Sequence, residues 1–357
     1  MTKLDDLLDF ISVQNGSDLH LMAGDPPRMR RFGELIYVSQ QPLSRQDTHD
    51  ALYPIMSARI RGTFEQTDQA DFAYVREGVA RYRVNVFRHL GGMGAVLRSI
   101  PSSAPNLEDL DLPSILANVC MQKQGLVLVT GKTGSGKSTT LAAMVDAINQ
   151  RMRGHILTIE DPVEFVHERK KCLISQREVG EHTTSFASAL RSALREDPDV
   201  ILVGEMRDLE TMSLAVTAAE TGIMVMGTLH TNSAASTVDR IINTFPADKQ
   251  PHIRTMLSTS LRGIVSQQLI RRADGQGMAA AVEILVNTPA VANAIREGKI
   301  DQIENIIQGG ALLGMQSMDN ALRQLLDARL INGVDAYEAA YVKSQFKQYI
   351  QDKAADS

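Results

Sequence analysis

The residues Gly131-Lys-Thr-Gly-Ser-Gly-Lys137-Ser138 match the pattern G-x-x-x-x-G-K-[ST]. Glycines at Gly131, Gly134 and Gly136 let backbone N–H groups converge on phosphate oxygens, with Thr133, Ser135 and Thr139 completing the cradle. Lys137 supplies a point charge for the β- and γ-phosphates of ATP, and Ser138 a hydroxyl for Mg²⁺. The competing reading is a glycine-rich turn with no ligand. An apolar run before the loop and helical pattern after it, from 138 to 149, supply the context that a phosphate-binding loop needs.

A loop of this kind needs a carboxylate at the end of a neighbouring strand. Asp199-Val-Ile-Leu-Val-Gly-Glu205 is an apolar run that ends in an acid, which makes Glu205 a candidate for the Mg²⁺ site beside Ser138. A solvated glutamate after a strand is the bland alternative. Ile159-Glu160-Asp161-Pro162-Val163-Glu164 holds three carboxylates, among them a candidate base or water-positioning group; a charged loop is its ordinary counterpart. His230, in Gly227-Thr-Leu-His230-Thr-Asn-Ser233, is placed to meet a γ-phosphate, and a lone structural histidine is an equal reading of the pattern. Arg195 and Arg207 flank the acidic strand as further phosphate contacts. In Arg81-Tyr-Arg83-Val-Asn85-Val-Phe87-Arg88, two-fold alternation puts Arg81, Arg83 and Asn85 on one face and Tyr82, Val84 and Val86 on the other. Such a row suits transferred phosphoryl charge, a solvated face or nucleic acid. His155, His167 and His182 show no metal spacing.

The elements that must carry these groups follow from apolar spacing. Leu4, Leu7, Leu8 and Ile11 predict an opening helix. Short alternating runs follow, with a turn at Gly33-Glu34, a helical pattern over 44–61, strands over 71–75, 80–87 and 95–100, and a last turn marked by Gly91, Gly92 and Gly94. That describes an α+β domain over 1–100. Residues 101–113 hold three prolines and read as a linker. Over 114–357, β-branched runs at 126–129, 156–159, 200–203 and 225–229 alternate with helices, which predicts a parallel sheet buried on both faces. Asp208 and Gly222 bracket one helix, and Thr288-Pro289 and Gly298 another. Beyond 247 helical spacing dominates, as in Ile253, Met256, Leu257, Leu261, Ile264 and Val265, and strands are expected to be few.

Composition narrows the function classes. The 357 residues carry a net charge of −5, with 43% apolar, 22% charged and 4% aromatic side chains and no tryptophan. That excludes a long disordered chain and argues against nucleic acid as partner, since neither a basic excess nor stacking platforms are present. Cys120 and Cys172 are too far apart in sequence for a CxxC zinc site, and point to a reducing cytoplasm. The acidic start Met1-Thr-Lys-Leu-Asp-Asp does not read as a signal peptide, and no apolar run reaches the length of a membrane span, so no direct membrane insertion is expected.

Taken in order, the motifs resemble the secretion-type ATPase superfamily, and most closely the PilT-like type IV pilus retraction ATPases. The resemblance rests on Gly16-Ser-Asp-Leu-His20, Arg81-Tyr-Arg-Val-Asn85, the phosphate loop, Ile159-Glu-Asp-Pro-Val-Glu-Phe-Val-His167 and Arg195-Glu-Asp-Pro-Asp-Val-Ile-Leu-Val-Gly-Glu-Met-Arg-Asp208. It continues through Gly227-Thr-Leu-His-Thr-Asn-Ser-Ala-Ala235, Phe245-Pro-Ala-Asp248 and Gly314-Met-Gln-Ser-Met-Asp319. It implies an α/β protein with a PAS-like N-terminal domain, a RecA-like P-loop domain with a helical C-terminal portion, and a homohexamer. By the same resemblance Glu164 activates water, Glu205 is the Walker B glutamate and His230 lies near the γ-phosphate. Arg81 and Arg83 approach the nucleotide as the domains close. ATP and Mg²⁺ are the implied cofactors, and an inner-membrane pilus platform protein and other pilus ATPases the implied partners of a cytoplasmic motor for twitching motility. Lys132 stands where relatives often carry proline, and Val291-Ala-Asn-Ala-Ile-Arg-Glu297 keeps only the second half of the C-terminal retraction motif. The isolated cysteines disfavour the extension and type II secretion branch, which carries a tetracysteine zinc module. The rival readings are an auxiliary retraction paralogue, a non-hydrolysing nucleotide-gated scaffold and a translocase on nucleic acid.

Overall fold

Leu4, Leu7, Leu8 and Ile11 form the buried stripe of α1 (Leu4–Val13). The computed structural model describes residues 4–31, 34–100 and 104–351. The chain divides into two compact units: one runs to residue 103 and takes in Glu164–Val166, and the other holds Ala104–Val163 and the chain from His167 onward.

In the first unit α1 is followed by β1 (Asp18–Met22), β2 (Arg28–Arg31), β3 (Glu34–Tyr37), α2 (Arg45–Leu52), α3 (Ala58–Thr67), β4 (Gln69–Arg76), β5 (Ala80–His89) and β6 (Gly92–Ile100). The strands make one antiparallel sheet in the order β3-β2-β1-β6-β5-β4. The single helix expected over 44–61 is two. Ser44 opens α2 with a capping box to Asp47, the chain turns through Tyr53 and Pro54, and Ser57 caps α3. Proline lacks the N–H that would continue the first helix. Gly92 and Gly94 lie within β6 rather than in the turn before it. Gly33 lies outside the described residues. Along β5 Tyr82, Val84 and Val86 are buried, while Arg83 is exposed and Arg81 and Asn85 are half-buried.

The second unit contains α4 (Ile115–Cys120), β7 (Gly125–Thr130), α5 (Lys137–Arg151), β8 (His155–Glu160), β9 (Leu173–Glu178), α6 (Phe186–Ala193) and β10 (Val200–Val203). It goes on through α7 (Leu209–Glu220), β11 (Met224–Leu229), α8 (Ala234–Thr244), α9 (Gln250–Ser260), β12 (Leu261–Arg271) and β13 (Met278–Val286). It continues through α10 (Pro289–Glu297), α11 (Gln302–Gly309), α12 (Met318–Asp327) and α13 (Gly333–Ala339), and ends on the short helix α14 (Gln348–Gln351). The sheet order is β13-β12-β7-β11-β10-β8-β9, parallel except for the antiparallel edge pair β12–β13. Every residue of β7, β10 and β11 is buried, as strands covered on both faces must be.

The structure also corrects the expectation of few strands beyond 247. Leu261, Ile264 and Val265 do not continue a helix: they belong to the eleven-residue strand β12, and β13 pairs with it over its whole length. The apolar positions 261, 264 and 265 of this strand also satisfy helical spacing. Leu107 and Leu112 pack on the core that holds Val127, Val129 and Val145; residues 101–103 lie outside the described residues. Cys120 and Cys172 are buried free thiols, and burial pushes Cys120 up to about 12. Among the described residues no helix is long and apolar enough to cross a membrane.

Candidate active site: a phosphate loop and the strand ends beside it

Open parallel sheets bind ligands at the carboxyl ends of their strands. The loop 131–136 leaves that end of β7 and opens α5. Gly131, Gly134 and Gly136 have φ of +145°, +79° and +83°, a backbone that side-chain-bearing residues rarely adopt. Gly136 is the N-cap of α5 and offers no side-chain cap, so the first-turn N–H groups keep their capacity for an anion. Lys137 is buried, and its Nζ donates to the carbonyls of Gly131 at 2.9 Å and Lys132 at 3.0 Å. Ser135 Oγ is buried and has no hydrogen-bond partner. An orphaned hydroxyl inside a ring of glycines fits a phosphate. The hydroxyls of Ser138 and the nearby Thr139 are oxygen donors of the kind a hard cation such as Mg²⁺ takes.

One brace of this loop comes from the strand that sequence spacing concealed. Gln267 of β12 accepts a hydrogen bond from Thr140 Oγ1 at 2.7 Å, and Ser266 shares one of 2.8 Å with Thr130. A Cβ on Gly136 would sit 2.7 Å from Gln267 Nε2. Had 261–271 been read as a strand paired to β7, Ser266 and Gln267 would have fallen at the strand end from which the phosphate loop leaves β7. A cavity of about 290 Å³ adjoins the loop at Gly136, Thr139 and Thr140, with Asp109–Leu112 on one side and Leu269, Arg272 and Leu325 on another.

Glu205 follows β10 and His230 follows β11, its direct neighbour. Thr228 Oγ1 donates to the Gly204 carbonyl at 2.5 Å and Met206 N–H to the Thr228 carbonyl at 3.0 Å, which fixes the two strand ends to each other. Glu205 Oε1 meets Arg207 Nε at 2.5 Å and His230 Nε2 at 3.1 Å. Burial pushes the Glu205 carboxyl up, but Arg207 and then His230 outweigh it and hold it below the usual range. The bond to Glu205 raises Arg207, and Asp161 adds to the effect. Glu205 is therefore an ionised oxygen donor at neutral pH, as a Mg²⁺ ligand has to be.

The other expected residues divide. Glu160 is held by Thr158 Oγ1 at 2.6 Å and Gln176 Nε2 at 3.3 Å, a structural tie between β8 and β9. Arg195 lies between α6 and β10, at the opposite end of that strand from Glu205. Glu164 is exposed in the segment after β8 and groups with the first unit, as Arg81 and Arg83 do. The cluster of the second unit thus consists of the phosphate loop, Glu205, Arg207 and His230.

The family model for type II/IV secretion system proteins matches residues 72–333. The type IV pilus retraction ATPase PilT of Pseudomonas aeruginosa is 51% identical over 96% of this chain and 99% of its own length. The type IV pilus ATPase PilU of the same organism is 42% identical over 92% and 86%. A crystal structure of the pilus retraction motor PilT with bound ADP superposes with a TM-score of 0.91 at 45% identity, covering 96% of this chain and 98% of that one. This chain belongs to the type II/IV secretion system protein family and is an ATP hydrolase within it.

Proposed function

We propose that the chain is a homohexameric, Mg²⁺-dependent ATPase motor that powers type IV pilus retraction and hence twitching motility. It works in the cytoplasm against an inner-membrane platform protein, alongside other pilus ATPases. The single observation that carries this is the joining of a complete phosphate loop to the Glu205–His230 pair on adjacent strand ends, in a chain 51% identical to a retraction ATPase along almost its whole length. In this reading the N-terminal unit is PAS-like and the second RecA-like.

Lys137 and the loop N–H groups hold the β- and γ-phosphates, and the cavity beside Gly136 and Thr139 receives the nucleoside. Ser138 and Glu205 would hold Mg²⁺, which would supply neutralisation of phosphate charge. His230, oriented by Glu205, donates to a γ-phosphate oxygen; Glu164 accepts a proton from the attacking water; Arg81, Arg83 and Arg207 stabilise transferred charge. ATP, ADP and no nucleotide then favour different conformations, and differential affinity among these states is what performs work.

Deletion of the gene tests the reading by live imaging of labelled pili. The expected cells are piliated and do not retract, and wild type but not Lys137→Ala restores retraction. Bald cells identify an extension motor instead, and retraction that weakens without stopping identifies an auxiliary paralogue. A purified protein that releases no more phosphate than Lys137→Ala is a scaffold.

A further inference from the structure

A carboxylate lies buried between the loop that follows His230 and the C-terminal helices. Glu283 stands on β13 opposite Ser266 and is 4% exposed. One oxygen accepts the N–H of Ala234 at 2.7 Å, and the backbone N–H of Met318 also donates to the carboxylate. Ala234 is the first residue of α8 and Met318 the first of α12. Both helices already have side-chain caps, from Ser233 to Ser236 N and from Ser317 to Asn320 N. Glu283 therefore serves a first-turn donor on each, of a kind that water ordinarily satisfies at a helix end. Its setting makes this costly: burial pushes the carboxyl up, the two N–H groups only partly offset that, and Glu304 and Asp319 add like charge.

A second tie reaches the same loop. The Tyr341 hydroxyl donates to the Asn232 carbonyl. Asp319, in the first turn of α12, accepts the N–H groups of Tyr341 at 2.8 Å and Val342 at 2.9 Å and so fixes the tyrosine. Between His230 and α8 there are only Thr231, Asn232 and Ser233. That short connection is held at Asn232 by Tyr341 and at its exit by Glu283, and His230 at its entrance touches Glu205 at 3.1 Å.

We propose that Glu283 and Tyr341 are positioning residues for phosphoryl transfer: they set the loop 231–233, and through it the place of His230 beside Glu205, and link that place to α12 and the chain after α13. The inference rests on the reading of His230 as a γ-phosphate contact. A merely stabilising role would lower the melting temperature and leave the turnover of the folded protein alone.

The test uses the full-length chain, with Glu283→Gln, Tyr341→Phe and His230→Ala singly and in pairs. Steady-state phosphate release is expected to show kcat about tenfold lower in Glu283→Gln and Tyr341→Phe with KM for ATP within about twofold, the pattern of a lost transition-state contact. With ¹⁵N-labelled histidine, the His230 ring signals shift in both variants, whereas those of His155, at the start of β8, do not. Adding either substitution to His230→Ala slows it no further, because the effect travels through that side chain. Unchanged turnover and unchanged His230 signals in the folded variants overturn the proposal, as do fully additive losses in the pairs. Tyr341→Phe removes one hydroxyl and carries the test alone should Glu283→Gln not fold. A His230→Ala protein with wild-type turnover refutes the underlying reading of His230, and the ring signals then still decide whether the two residues place the loop.

Discussion

Asp18 illustrates what one side chain does for the first unit. Its cross-strand neighbours on β1 are Arg30 and Arg98, and Arg98 in turn lies directly opposite Arg83. Like charges paired across a sheet repel. Asp18, whose side chain is 5% exposed, accepts Arg98 Nε at 2.8 Å and Ser17 Oγ at 2.7 Å and so absorbs that repulsion. Burial pushes its carboxyl up, but the bonds from Arg98 and Ser17 outweigh it and the carboxyl rests below the usual range. A depressed carboxyl stabilises the fold above its unfolded value, about 3.9, and the contribution is lost as pH falls through the lower folded value. Asp18→Asn should therefore cost about 1–3 kcal/mol at pH 7 in urea unfolding, and the gap to wild type should narrow as pH is taken down toward about 3. A gap independent of pH would mean that the carboxylate's charge is irrelevant. At this scale the sequence was readable where a motif fixes backbone geometry, as in the phosphate loop. It was ambiguous where a role depends on a neighbour distant in sequence, as with Glu205 and His230, and silent for Glu283, whose partners Ala234 and Met318 lie 49 residues before it and 35 after.

At the scale of elements, β12 sets the shape of the phosphate loop. Gly136 is restricted twice, by its φ of +83° and by Gln267 Nε2, 2.7 Å from where a Cβ would stand. Gly131 meets the backbone carbonyl of Gln267 instead, which no side-chain change can move aside. Gly136→Ala should abolish measurable ATP-analogue binding by calorimetry. Gly136→Ala with Gln267→Ala should regain part of it and stay about 5- to 30-fold weak, since a left-handed alanine still costs about 1–2 kcal/mol. Gly131→Ala should gain nothing from Gln267→Ala. Equal rescue of both would show that Gln267 does not brace the loop. The strands β7, β8, β10 and β11 were legible because their β-branched runs are short and bounded by turns. β12 was not, because eleven largely buried residues following α9 without a break carry apolar positions that fit either period.

Among the described residues the molecule holds separate cores. All buried members of the first lie between Leu4 and Leu97, and the three others are built from residues between Leu107 and Tyr349. The second unit begins at Ala104: Leu107 and Leu112 pack within it, and Asp109–Leu112 line the cavity at the phosphate loop. A fragment of residues 104–357 therefore keeps its cores, the loop with its Gln267 brace, and the Glu205–His230 pair. It should unfold in one cooperative transition and bind ADP within about threefold of the full chain, since the phosphate loop and the cavity beside it belong wholly to the second unit. Its phosphate release should fall by at least about a hundredfold, because the arginines assigned to transferred charge, Arg81 and Arg83, are gone. A fragment beginning at 114 should bind ADP more weakly, having lost the 109–112 wall of the cavity. Full turnover by the 104–357 fragment would remove both arginines from the mechanism, and a fragment that binds ADP no better than the 114 start would remove that wall from the nucleotide site.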